Sequence, residues 1–371
     1  MGIGSFLIGY HVLLALLLPY YLMHYTPSWT LLLSVPITLY VGGLGITAGY
    51  HRYFSHRTYH TRPWVESAFL FCGSLAMQGS ALKWSYDHRI HHAHVDTDRD
   101  PYSITKGFLY AHMLWLFEDG AEIEPRTVSD LVRNPRVMFQ HKYSVPCMLA
   151  ANGLMVLLFG YLSGDYFGAF VLTFLLRLFL LHHFTWFINS LAHTIGSKPF
   201  SEEQSAVDNW VLSLFTFGEG YHNYHHTYAN DYRNGVRWYH FDPAKWLIWT
   251  LNRFGQADHL KRVSSYAIGK RRLQEMRDQL IDRINETVYI RRELAEQKVQ
   301  ELSEHLDQNL ARMNQLSQRY HEWKEQHVAR DQLKALKREM RAMHHSMRGD
   351  WERLGNMKKA IMRLRPLEAF N

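Results

Sequence analysis

The chain of 371 residues carries 41 Lys plus Arg against 34 Asp plus Glu, and its mean hydropathy of −0.27 would by itself describe a soluble protein. The average conceals two unlike parts: from Lys270 onward there are 22 basic and 16 acidic residues, against 19 and 18 in all that precedes it, so the front has the composition of a membrane protein and the tail that of a solvated helix. Two cysteines, Cys72 and Cys147, exclude a disulfide framework, a Cys-ligated zinc module and a Cys-held iron–sulfur cluster, and the 24 histidines become the residue type to follow.

No charged side chain occurs before Arg52. Residues 6–25 and 29–49 are each mostly apolar and long enough to cross a hydrocarbon layer of about 30 Å as helices. A positive leader segment is missing and a second span follows at once, which speaks against a cleaved signal peptide. The second span ends in His51 and His56, an HxxxxH box. Five α-helical steps leave such a pair about 140° apart around the axis, so one partner is expected from a frayed end or a loop. A further apolar run covers residues 64–82. If it crossed the membrane, it would put the histidines on either side of it on opposite faces, so a shared site requires it to lie along the interface or to re-enter. His88, His91 and His92 follow as HxxHH, whose three imidazoles share one helix face.

A second apolar pair, residues 145–162 and 166–188, is joined by Ser163, Gly164 and Asp165 and reads as a helical hairpin. Beyond it, His193 falls on the same stripe as Trp186 and Asn189, and His222, His225 and His226 repeat the HxxHH pattern. The connections within both pairs, around Pro27 and Gly164, carry no Lys or Arg. The positive-inside bias therefore assigns both termini, residues 50–144 and residues 189–264 to the cytoplasm, and a bacterial inner membrane is the expected location. From Lys270 to Arg348 there is no Gly or Pro, and Leu333, Leu336, Met340, Met343, Met347, Leu354, Met357 and Ile361 recur at spacings of three and four, with one longer step from Met347 to Leu354. That is the signature of a coiled coil or helical hairpin, read as a solvated extension, with self-association or contact with an anionic lipid surface as its other uses. The expected fold is thus all-α: a membrane domain over residues 1–264 with about four transmembrane helices and a histidine-rich cytosolic helical cap, then a charged, coiled-coil-like tail over 265–371.

Eight histidines in three boxes exceed the three or four ligands of a zinc site and match two metals sharing one site, with His193 as a ninth ligand; imidazole alone does not select the metal. His11, His24 and His112 read as interfacial or structural, and His60 and His94 flank boxes without fitting their spacing. His182 and His183 lie inside a span, where polar groups are costly and often functional.

The strings GYHRYFSHRTYHT (49–61), WSYDHRIHHAHVDTDRDPY (84–102), NSLAH (189–193), GEGYHNYHHTYANDYR (218–233) and FDPAKWLIWTL (241–251) together resemble the integral-membrane fatty acid desaturases, in the stearoyl-CoA or delta-9 branch. The resemblance runs over roughly residues 5 to 255 and stops short of the tail. It implies a cytosolic cap above a four-helix stem, and two irons held by His51, His56, His88, His91, His92, His193, His222, His225 and His226, with Asn189 reaching one iron through water. It also implies substrate contacts at Trp84, Asp87 and Trp186, and no catalytic residue beyond the ligands. Tyr86 stands where the vertebrate acyl-CoA enzymes have arginine, and Asp119 and Gly120 fall near a basic pair with which those enzymes grip CoA, so acyl-lipid and acyl-carrier-protein substrates stand beside acyl-CoA. The implied reaction inserts a cis double bond, at delta-9, into a saturated acyl chain with O2 and two electrons. With no cytochrome b5-like His-Pro-Gly-Gly segment or flavin fingerprint in the chain, the electrons are expected from a separate ferredoxin-type protein or from cytochrome b5 with its reductase. The lipid bilayer is the other expected partner, and nucleic acid is not one. The rival readings are a membrane di-iron hydroxylase of alkanes, sterols or carotenoids, and a non-catalytic metal-binding scaffold whose tail recruits partners.

Overall fold

A computed structural model describes residues 3–286 and 292–363. The chain forms two compact units, Met1–Lys198 with Glu203–Arg262, and Pro199–Glu202 with Val263–Asn371.

In the first unit four helices are long and apolar enough to cross a membrane: Ile3–His24, Trp29–Ser55, Ser144–Ser163 and Tyr166–His193. The protein is an all-α membrane protein; strand among the described residues is confined to the antiparallel pair His60–Thr61 and Ala257–Asp258. The four expected spans are present, and the second and fourth run on past their expected ends to Ser55 and His193, so that histidines of the site stand at the far end of each. Their starts follow ordinary capping chemistry. Ser28 accepts the Leu31 N–H at 3.3 Å ahead of the second span, and Asp165 accepts the Gly168 N–H at 2.7 Å ahead of the fourth. Large apolar side chains such as Leu16, Ile37, Leu154 and Leu157 face outward along these helices, as hydrocarbon contact requires.

The fifth apolar run does not cross. It begins as a 13-residue helix, Pro63–Leu75, about 20 Å long and too short for the hydrocarbon layer. After a break the chain resumes at Ala81, where Ser80 caps the helix Ala81–His94. The end of the short helix explains a charge that hydropathy passes over. Arg177, fully buried within the fourth span, donates to the Leu75 carbonyl at 2.7 Å, to the Thr173 carbonyl at 3.1 Å and to the Asn152 side-chain oxygen. The carbonyls that end a helix lack intrahelical donors and carry the negative end of its dipole, so this terminus can host a guanidinium in a membrane span. Arg177 thus ties the end of this short helix to the inside of the fourth span.

In the second unit Ser265–Glu286, Arg292–Glu325 and Arg330–Met362 pack around Leu273, Leu280, Ile284, Val299, Leu306, Leu310, Met347, Leu354, Met357 and Ile361. The later part of the periodic apolar stripe, Met347, Leu354, Met357 and Ile361, is therefore buried within its own helical bundle. The chain turns between Arg292–Glu325 and Arg330–Met362 at residues 326–329, where His327 takes a left-handed φ of +53° with no Gly or Pro to announce the turn.

Replacing Arg177 by Met should orphan the Leu75 carbonyl and the Asn152 amide oxygen and cost about 1–3 kcal/mol. A lowered Tm in detergent is the expected result, against an unchanged one for Gly153→Ala, where an added Cβ would meet nothing within 4 Å. A Tm at or above wild type for Arg177→Met would mean that desolvating the charge outweighs its bonds.

Candidate metal centre

The nine expected histidines converge, and they do so as two groups. His51, His56, His88, His92 and His225 offer ligand atoms all within 4.8 Å of one another, and His91, His193, His222 and His226 do the same. In the first group the Nε2 atoms of His51 and His225 are 3.0 Å apart, those of His56 and His88 2.8 Å, and those of His92 and His225 3.0 Å. In the second, His222 Nε2 lies 3.1 Å from His193 Nε2 and 3.0 Å from His226 Nε2, and His91 Nε2 lies 3.3 Å from His226 Nε2. Each HxxHH box serves both groups. The helix Ala81–His94 gives His88 and His92 to one and His91 to the other; the helix His222–Thr227 gives His225 to the first and His222 and His226 to the second.

The first box departs from its α-helical expectation. Gly45–Ser55 is a π-helix, in which each N–H reaches back five residues, and the His56 N–H bonds the His51 carbonyl at 3.1 Å. Residues five apart then follow one another along the same face, so the 140° separation does not arise and the two rings lie 4.9 Å apart.

Partners on the far ring nitrogens fix how the rings point. His51 Nδ1 faces Glu219 at 3.1 Å, His91 Nδ1 faces Asp100 at 2.9 Å, His88 Nδ1 is 3.2 Å from the Tyr102 hydroxyl, and His193 Nδ1 is 2.6 Å from Ser205 Oγ. A carboxylate only accepts, so His51 and His91 donate through Nδ1 and turn a bare Nε2 lone pair into the cluster. Lone pairs held about 3 Å apart out of water repel unless a cation lies among them. Burial first, then the charges of neighbouring imidazoles, pushes His56, His88, His92, His222, His225 and His226 well below the usual histidine range, so these rings are held neutral. The donor set fits metal ions in both groups.

Glu219 is itself held. Burial would raise its carboxyl, but His51 and Arg52 outweigh that and keep it below the ordinary carboxylate range. Arg52 donates to Glu219 Oε1 at 3.0 Å and to the Tyr232 carbonyl at 3.0 Å, and pairs with Asp242 at 2.9 Å. Asp242 in turn caps the helix Pro243–Arg253 through the Lys245 N–H at 2.9 Å, with Pro243 at the first helical position. Gly218, beside Glu219, sits at φ +99° with Asp242 Cα 2.7 Å from where a Cβ would stand, so no other residue fits.

The remaining expected residues are placed less uniformly. Asn189 is half-buried at the last position of the helix Arg177–Asn189 and belongs to neither histidine group. Trp84 stacks on His88 at 5.0 Å and donates to Gln78, whose amide donates to Thr185 at 3.1 Å. Asp87 is paired with Lys83 at 2.5 Å. Burial raises its carboxyl while Lys83 pulls it down, and the rise prevails. Trp186 is buried in a separate cluster, ringed by His182 and His183 with centroids at 5.1 and 5.0 Å and by His112 at 5.7 Å. His11, His183, His112 and Ser190 form a continuous hydrogen-bonded string, as structural histidines should. Reading the boxes missed Glu219, Asp100, Asp96, Tyr102, Ser205 and Arg52; the acids beside the boxes, in GEG and DTDRDPY, were the available signal.

A family model described as fatty acid desaturase matches residues 27–259. The chain belongs to that family. It is 43% identical over 262 residues to a probable acyl-CoA desaturase of Schizosaccharomyces pombe, covering 70% of this chain and 54% of that one, and 40% identical over 238 residues to acyl-CoA desaturase 1 of Saccharomyces cerevisiae, covering 63% and 47%. It is also 35% identical over 239 residues to an sn-1 stearoyl-lipid 9-desaturase of Anabaena variabilis, covering 63% of this chain and 85% of that one. The chain thus spans about half the length of the two yeast relatives and most of the cyanobacterial one.

Glu219→Gln keeps the shape of the side chain but removes the charge facing His51 and Arg52. Divalent-metal affinity should fall about 10–100-fold, the usual cost of losing such a partner. Metal content after dialysis against a chelator, and the Tm of the metal-free chain, measure the two consequences; retention of full metal would show that the charge of Glu219 is not needed to orient His51.

Proposed function

We propose that the protein is a fatty acyl desaturase that inserts a cis double bond, at delta-9, into a saturated acyl chain carried by CoA or by a membrane lipid. The overall change is R–CH2–CH2–R′ + O2 + 2e− + 2H+ to R–CH=CH–R′ + 2H2O. The observation that carries this reading is the convergence of nine imidazoles in two groups, five and four, with ligand atoms within 4.8 Å of one another in each. His51, His56, His88, His92 and His225 would hold one iron, and His91, His193, His222 and His226 the other, with Asn189 a water-borne contact to the second. Two irons there supply what no side-chain acid or base can, the activation of O2 toward an unactivated methylene.

The chain's own residues do the rest. Glu219 and Asp100 keep the Nδ1 protons of His51 and His91 in place, so that each ring directs Nε2 toward the cluster. Burial of the histidines keeps bulk water from the oxidising site. Trp84, Asp87 and Trp186 are assigned to the substrate, whose reacting methylene must be held beside the centre while its neighbours are kept away. Electrons are assigned to a separate donor, ferredoxin-type or cytochrome b5 with its reductase. The site and both termini are read as cytoplasmic, because basic residues avoid the short connections within each pair of spans. The yeast relatives remove the reason for restricting that membrane to a bacterium.

The test is the fatty-acid profile, by gas chromatography and mass spectrometry, of a host lacking its own desaturase. Expression of the chain should produce a cis-9 C16 or C18 monoene, two mass units below its parent, and the His225→Ala variant should produce none. Products sixteen mass units heavier would establish a hydroxylase instead. Absence of both, in an iron-loaded protein supplied with a competent donor, would overturn the proposal.

A further inference from the structure

His51 and His91 lean on a carboxylate directly, and His193 does so through a hydroxyl. Ser205 Oγ lies 2.6 Å from His193 Nδ1 and 2.5 Å from Asp96 Oδ1, and the Ser205 backbone N–H donates to Asp96 Oδ2 at 2.7 Å. The direction of each bond is forced. The carboxylate only accepts and the hydroxyl has one hydrogen, so Ser205 donates to Asp96 and takes the His193 Nδ1 proton on its lone pair. His193 is thereby fixed in the tautomer that leaves Nε2 bare, 3.1 Å from His222 Nε2.

Two further observations give this string weight. Asp96 lies two residues beyond the helix that carries His88, His91 and His92, and it holds a left-handed φ of +62°, a conformation open to Asp and Asn more than to most non-glycine residues. Ser205 lies outside any helix, between His193 and the third box, so Asp96 ties that irregular segment to the end of the second box. Moreover, His222 Nδ1 in the same group is buried without a hydrogen-bond partner, so His91, held by Asp100, and His193, held by Ser205, are the rings of that group whose far nitrogens are tied among the described residues.

We infer that Ser205 and Asp96 are positioning residues that orient His193 and set how tightly the four-histidine group holds its metal. The inference rests on reading the histidine groups as a metal centre. A carboxylate reached through one hydroxyl still raises the basicity of the ligand and locks the ring plane, and the loss of such a partner costs about 10–100-fold in metal affinity.

The test uses the full chain in detergent, stripped of metal and titrated anaerobically with 57Fe2+ against a competing ferrous chelator. Mössbauer spectra count the iron environments, and the Tm of the metal-free form monitors folding. Ser205→Ala should lose one of two irons at limiting free Fe2+, with affinity there lowered about 10–100-fold and the other iron held as in wild type. Ser205→Thr, which keeps the hydroxyl, should restore it. Asp96→Asn, which keeps an acceptor and tolerates the left-handed backbone but lacks the charge, should fall between the two. Two irons bound by Ser205→Ala with wild-type affinities would overturn the inference, as would a loss that Ser205→Thr does not repair. A wild-type chain that binds two irons yet makes no alkene would defeat the desaturase reading and leave this one standing, whereas a wild-type chain that takes up fewer than two in excess Fe2+ would defeat both.

Discussion

Arg52 leaves the second span one residue after His51 and enters a space where its guanidinium, the Glu219 carboxylate and the Asp242 carboxylate are all out of water. Burying three charges is tolerable only when each finds its partner, since breaking such a set strands an uncompensated ion at a cost of about 3–5 kcal/mol. The end of the second span, the loop carrying Gly218 and Glu219, and the start of the helix Pro243–Arg253 must therefore come together as one event. Glu219 turns that requirement toward the site, because the oxygen not taken by Arg52 orients His51. Residues separated by up to 190 positions in sequence are in this way made conditional on one another.

The same economy of parts governs the two histidine groups. Because each HxxHH helix contributes to both, neither group can form without both helices, and a rotation of either helix disturbs both sites. Buried carboxylates set the ring planes from outside the cluster, and burial keeps the imidazoles neutral inside it. The membrane part supplies rigidity by a parallel device. Arg177 binds the fourth span to the end of the helix Pro63–Leu75 and to Asn152 of the third span, so three elements that hydropathy treats as independent share one polar knot.

Much of this could be read from the sequence, because it depends on local patterns. Spans announce themselves by length and apolarity, and the HxxHH boxes by the period of 3.6, so four helices and nine converging histidines could be named in advance. What escaped has a common physical origin. The relation of His51 to His56 depends on a π-helix, which a reading built on 3.6 residues per turn cannot anticipate. The turn at His327 uses neither Gly nor Pro, the residues by which turns are ordinarily recognised. Arg177, Asp96 and Ser205 owe their positions to partners distant in sequence; a charge in an apolar span marks Arg177 and a neighbouring box marks Asp96, but neither context names the partner. Asn189 and Trp186 were named from the motif around them, but the motif does not reveal that Trp186 is enclosed by imidazoles remote from the metal groups.

The wide turns of Gly45–Ser55 carry a consequence for how this chain can vary in length. A π-helix holds one more residue in each hydrogen-bonded turn than an α-helix, so removing a single residue from it permits the backbone to close into the commoner form. In an α-helical stretch of a span such a deletion turns everything beyond it by about 100°. Here a deletion between His51 and His56, with the backbone closing into an α-helix, would leave the two histidines four apart and still on one face. The spacing of the box and the width of the turn are therefore one feature: HxxxxH converges on a π-helix as HxxxH would on an α-helix, so the two can change only together.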